Sequence, residues 1–104
     1  MTGNLRITAT VVQVLGAFLE DPVEKRYGFD LIQATGQPSG TIYPILLRLE
    51  KTGWLKATWE DEAPGMDRPA RRYYEITPDG LAAARTQLTA LQQRLNRILG
   101  EQPA

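Results

Sequence analysis

The sequence predicts a mainly α fold with one small β-hairpin: a winged helix-turn-helix followed by a C-terminal dimerisation helix. Three observations predict it. Apolar residues recur at helical spacing near both ends of the chain. Glycine and proline cut two short helices off at close quarters in the first half. Between the third helix and the last one the pattern changes to strand alternation. The 104 residues are a one-domain length. They divide into residues 1–76, the winged helix-turn-helix, and 77–104, the dimerisation helix, within one structural unit.

The first helix is expected from Thr8 to Leu19. Val11, Val12, Leu15, Phe18 and Leu19 repeat at its period, with Thr8 as N-cap. Asp21-Pro22 ends it, because the residue before a proline avoids helical geometry. Charged residues from Asp21 to Arg26 then read as a connection. A short second helix, Tyr27 to Thr35, offers Tyr27, Leu31 and Ile32 to a core and stops at Gly36. Only Gln37 and Pro38 precede the next start signal, Ser39, and a third helix runs from there to Thr52, closed by Gly53. Its N-cap is Ser39 or Thr41; the first choice puts Pro44 just past the first turn, the second puts it within that turn.

Trp54 to Trp59 alternates apolar and polar residues, and Arg71 to Thr77 carries the strand-favouring Tyr73, Tyr74 and Ile76. Glu60-Asp61-Glu62 and the turn residues Ala63-Pro64-Gly65 lie between, which makes a hairpin with a long tip. Its aromatics, Trp54, Trp59, Tyr73 and Tyr74, are read as the packing core of the hairpin. Thr77-Pro78 opens the last helix as N-cap and first-turn proline, and Gly100 stops it after Leu99. At a rise of 1.5 Å per residue that helix is about 34 Å long, more than so small a body can cover. The tails, Met1 to Arg6 and Gly100 to Ala104, look loose.

Composition narrows the function. The chain has no cysteine and no histidine, which removes thiolate and imidazole chemistry and most transition-metal sites. No enzyme activity and no cofactor are expected, and the missing disulfides fit a reducing cytoplasm. No apolar run approaches the length of a membrane span. The formal net charge is zero, so any nucleic-acid contact must come from the distribution of charge and not from its sum.

That distribution is informative. On a helical wheel Ile42, Ile45, Leu46 and Leu49 share one side of the third helix, while Gly40, Tyr43, Pro44, Leu47, Arg48 and Lys51 share the other. In a helix-turn-helix the second side enters the major groove of double-stranded DNA. Gly40 would let the backbone approach a phosphate, and the helix start favours an anion. Ser39 and Thr41 could donate to phosphates or base edges, Tyr43 adds a rigid ring with a hydroxyl, and Arg48 and Lys51 could neutralise phosphates. Arg68, Arg71 and Arg72 on the hairpin suit the minor groove or flanking phosphates; they could equally pair with Glu60, Asp61, Glu62 and Asp67 across it. The acidic residues there imply a moderate salt dependence.

Leu81, Ala84, Leu88, Leu91, Leu95 and Ile98 are spaced 3, 4, 3, 4 and 3 apart in the last helix, the seam of a coiled coil. A homodimer through this seam would set two third helices about 34–36 Å apart and match a palindromic operator. The early residues, Leu81 and Ala84, are also placed to pack back on their own domain.

These features resemble the PadR family of bacterial transcriptional regulators. The resemblance rests on Tyr27-Gly28-Phe29-Asp30-Leu31, Ser39-Gly40-Thr41-Ile42-Tyr43-Pro44, and the run from Leu46 through Leu49-Glu50-Lys51 to Gly53-Trp54-Leu55. Arg71-Arg72-Tyr73-Tyr74 and Ile76-Thr77-Pro78-Asp79-Gly80 extend it over nearly the whole chain. It implies a homodimeric winged-helix repressor, with Ser39, Thr41 and Tyr43 facing DNA and a small-molecule effector such as a phenolic acid or drug. The single C-terminal helix matches the shorter branch of the family. That helix carries no tryptophan, so an aromatic drug pocket at the dimer interface is not implied. The alternative function is a winged-helix module for protein–protein contact, favoured by the neutral charge and the acidic hairpin.

Overall fold

The computed structural model describes residues 7–61 and 64–100. The expectations for Met1 to Arg6, Glu62, Ala63 and residues 101–104 lie outside them. In chain order the elements are α1 (Ala9–Glu20), β1 (Arg26–Tyr27), α2 (Gly28–Thr35), α3 (Ser39–Thr52), β2 (Leu55–Trp59), β3 (Arg72–Ile76) and α4 (Pro78–Leu99).

Each boundary has a local cause. The Thr8 hydroxyl accepts the Val11 N–H at 3.3 Å and starts α1. The Asp30 carboxylate accepts the Tyr27 N–H at 3.1 Å and starts α2. Gly36 and Gly53 end α2 and α3 at φ of 71° and 88°, in the left-handed region where a side chain is strained. Three residues therefore separate α2 from α3. The N-cap of α3 is Pro38, neither Ser39 nor Thr41: its extended backbone points its carbonyl at the N–H groups of Thr41 and Ile42, 2.9 and 3.1 Å away. Pro44 thus sits in the second turn and leaves the Gly40 carbonyl without its helical donor. Both residues are exposed, so that carbonyl faces solvent and the cost is small.

The core is one cluster. Val11, Val14, Leu15 and Phe18 of α1, Leu31 of α2, and Ile42, Leu46 and Leu49 of α3 are its largest fully buried side chains. Leu55, Tyr74, Ile76 and Ala84 complete it from the sheet and α4. Burial of this kind is worth about 1.5–3 kcal/mol per large apolar side chain.

The sheet has three strands, not two, in the order β1-β3-β2. β2 and β3 form the expected antiparallel hairpin, with Leu55 opposite Ile76 and Ala57 opposite Tyr74. Arg26 and Tyr27, read as connection and helix, add a short edge strand opposite Tyr74 and Tyr73. Two residues carry no readable periodicity, and only the pairing reveals them.

The α3–β2 turn and the β3–α4 junction are tied together. The Thr77 hydroxyl donates to the Gly53 carbonyl at 2.7 Å and accepts the Gly80 N–H at 2.9 Å, while the Thr77 N–H donates to the Trp54 carbonyl at 2.9 Å. Gly80 is buried against the Trp54 backbone. This fixes where α4 leaves the body. No residue of α4 after Ala84 is buried, and the molecule extends 58 × 31 × 25 Å with a radius of gyration of 15.7 Å, against about 13 Å for a compact chain of this length.

Candidate nucleic-acid interface

The wheel drawn from the sequence divides α3 as it stands in the fold. Ile42, Ile45, Leu46 and Leu49 are buried, while Ser39, Gly40, Tyr43, Pro44, Leu47, Arg48 and Lys51 are all exposed. Thr41 is half-buried. Among the described residues, the side chains of Arg48 and Lys51 meet no acidic or hydrogen-bonding partner. The result is an open helix face, cationic toward its C-terminal end, with Tyr43 and Leu47 each about half exposed on it.

The wing arginines are held differently. Arg68 grips the Glu60 carboxylate with both terminal nitrogens, at 2.7 and 3.1 Å. Arg72 pairs with Glu50 of α3 at 2.8 Å and lies near the rings of Trp59 and Tyr74, with centroids at 5.7 and 5.8 Å. Arg71 stacks over the Tyr27 ring at 4.6 Å and donates to the Tyr27 hydroxyl at 2.7 Å. Two of the three guanidinium charges are therefore offset by carboxylates. Arg71 is exposed and, among the described residues, its side chain meets no carboxylate.

The Arg72–Glu50 pair also joins the wing to α3. It links the two parts that the sequence assigned to DNA, a contact of Glu50 that the sequence reading missed. No sequence signal marks it, because the partners are 22 positions apart.

Glu60 organises the base of the hairpin tip. It accepts from both Arg68 nitrogens, from the Tyr73 hydroxyl at 3.0 Å and from the Arg71 N–H at 3.4 Å. These donors, Arg68 first, hold its carboxyl down at about 2. The same hydrogen bond pushes the Tyr73 phenol up, and burial does the same to Tyr74.

The hairpin aromatics split. Tyr74 is buried and Trp54 and Tyr73 are half-buried, as expected of a packing core, but Trp59 is 66% exposed. It shares a strand face with Leu55, yet it sits at the far end of β2, outside the core cluster. With Phe29, Tyr43, Arg71, Arg72 and Tyr74 it borders a cleft of about 480 Å³ beside α3.

The dimer seam is also divided. Ala84 is fully buried in the core of its own chain and offers no surface to a partner, which removes it from the seam. Its small side chain is what lets α4 lie close to the body. Leu81 and Leu88 are partly buried against the same core. Leu91 is half-buried, and Leu95 and Ile98 are 46% and 72% exposed. Leu99, not in the seam, is 70% exposed beside them.

Three packed helices, with the third presenting an open polar face next to a β wing, are a winged-helix DNA-binding domain. Comparison with known proteins makes the class specific. The chain belongs to the transcriptional regulator PadR-like family, whose model matches residues 17–86. It is a DNA-binding transcriptional regulator, not an enzyme. It is 36% identical over 90 residues to the transcriptional regulator Rv3488 of Mycobacterium tuberculosis, covering 86% of this chain and 74% of that protein. A PadR-like transcription factor from Bacteroides fragilis superposes with a TM-score of 0.67 at 27% identity, over 88% of this chain and 89% of that one. The fold is shared at a TM-score of 0.70 and 22% identity with Bordetella bronchiseptica BpsR, whose DNA binding is regulated by 6-hydroxynicotinic acid; the match covers 97% of this chain and 71% of that one. Among the described residues no helix is long and apolar enough to cross a membrane.

Proposed function

We propose that the chain is a sequence-specific repressor that binds a palindromic operator as a homodimer and is released by a small-molecule signal. The observation that carries this reading is the outward face of α3, where Arg48 and Lys51 are exposed and unpaired beside Tyr43. Ser39 and Gly40 bring the helix start to a phosphate, Thr41 and Tyr43 supply donors, and Arg48 and Lys51 follow the backbone. In the wing, Arg71 carries most of the phosphate contact, with Arg68 and Arg72 contributing through the N–H groups their carboxylates leave free. The exposed Leu95, Ile98 and Leu99, together with Leu91, form the apolar stripe that a second copy would cover. Release by a small molecule is carried over from the behaviour of BpsR.

Footprinting on the DNA upstream of the chain's own gene tests the proposal. Protection of two symmetric half-sites about one helical turn apart is expected, resistant to non-specific competitor and weakened by salt. Absence of any competitor-resistant complex would overturn it. Such a result would favour the protein-interaction module, a role compatible with the charge pairing of Arg68 and Arg72.

A further inference from the structure

Gly28 is a glycine without a conformational reason. It opens α2 with an ordinary helical backbone and is absent from the positive-φ glycines. Glycine is a poor helix residue, so its presence there costs stability relative to alanine. The reason lies across the α2–α3 contact. A Cβ on Gly28 would stand 2.5 Å from Cε1 and the hydroxyl oxygen of Tyr43 and 2.6 Å from its Cζ. The missing side chain is the seat of the outer end of the Tyr43 ring.

We propose that Gly28 is a positioning residue for DNA recognition: by leaving this seat empty it clamps the Tyr43 ring against the start of α2 and fixes where its hydroxyl stands on the DNA-facing side of α3. The inference rests on the assignment of that face to DNA. One edge of the ring packs on Gly28 while the side chain remains 48% exposed. The hydroxyl has no hydrogen-bond partner among the described residues. Tyrosine has only two rotatable side-chain bonds, so one such contact removes most of its freedom before binding. A donor whose position is already set discriminates between base edges better than one that must be ordered on contact.

A second buried glycine shows that the role is particular to this site. At Gly80 a Cβ would meet the Trp54 backbone, with Cα at 2.7 Å and the carbonyl carbon at 2.8 Å. Backbone cannot swing aside, so Gly80 protects the fold. At Gly28 the obstacle is the far end of a side chain, which can rotate outward. Filling Gly28 should displace the reader and leave the fold standing.

The test uses the full chain with fluorotyrosine at its four tyrosines, the Tyr43 resonance being assigned from Y43F. G28A should move the Tyr43 fluorine signal more than those of Tyr27, Tyr73 and Tyr74. Operator affinity should fall about tenfold, the scale of one lost specific contact, and affinity for unrelated duplex less than about twofold. In a Y43A background, G28A should cost less than about twofold, because the displaced group is gone. If G28A melts early, G28A/Y43A should recover the melting temperature. An unmoved Tyr43 signal, an undiminished G28A effect in the Y43A background, or a melting loss that Y43A does not relieve would each overturn the assignment. Failure of the wild-type chain to select an operator would defeat the DNA reading instead, and the fluorine signal would still report on the clamp.

Discussion

The two halves of α4 continue one apolar repeat at helical spacing and meet opposite surroundings. In the first half, Gly80 and Ala84 are buried and Leu81 leans on the core. In the second half, Leu95, Ile98 and Leu99 stand 46%, 72% and 70% exposed. The difference shows that periodicity selects a face of a helix but does not say what covers it. The first half is consumed by its own domain because Thr77 anchors its start to the α3–β2 turn. The second half runs beyond the body and keeps an apolar stripe that exposure to water makes costly.

Substitution can separate the halves. The largest effect is expected at the free end. L95Q together with I98Q keeps good helix propensity and should leave the body folded, yet turn a dimer into a monomer by sedimentation. Operator affinity would then fall by about 10²–10⁴-fold through loss of bivalent binding. A dimer that survives the double change would place the interface elsewhere. At the anchored end, Gly80→Ala should lower unfolding free energy by about 1–3 kcal/mol, the usual cost of overpacking a site without room. Denaturant titration at a concentration where both forms are monomeric reads it, and an unchanged midpoint would contradict the close approach to Trp54. Thr77→Ala removes the N-cap of α4 and the link to Gly53, with an expected loss of about 1 kcal/mol by the same measurement.

The smallest effect comes from acid, which acts on the body and spares the free end. The Glu60 carboxyl is held at about 2, below its ordinary value of 4.5. A group depressed on folding stabilises above its unfolded value and loses that contribution as pH falls toward its folded one. The clasp on Arg68 and Tyr73 should thus weaken between about pH 4.5 and pH 2. Residues 89–99 contain no carboxylate, so this stretch of α4 has no acidic group to lose over this range. Glu60→Gln should flatten the acid dependence of wing stability, followed by amide exchange in β2 and β3. An acid profile identical to wild type would remove Glu60 from the account.

The candidate interface was partly legible before folding was considered. The wheel for α3 assigned its buried and outer faces correctly, because a helix packed on one side sorts its residues by a period fixed by backbone geometry. The wing was less legible. Three arginines within five residues signal a cationic strand, and Glu60, which offsets Arg68, stood among the carboxylates the hairpin offered them, but Glu50, which offsets Arg72, is 22 positions away. Trp59 misled for a related reason: the hairpin aromatics were read together as its packing core, and only the tertiary packing buries Tyr74 and leaves Trp59 outside.

The sequence alone therefore determined the four helices and the β2–β3 hairpin, their order and the apolar side of each helix, together with the Gly36 and Gly53 stops and the Thr8 and Thr77 caps. All of these depend on interactions within a few residues. The tertiary structure decided what faces each of those surfaces. It placed Pro38 as the cap of α3, paired Arg26 and Tyr27 into the sheet, spent Ala84 on the core of its own chain, and set the Tyr43 ring on Gly28. Each of these depends on a contact between elements, and the close approach that makes it is a property of packing that no local pattern records.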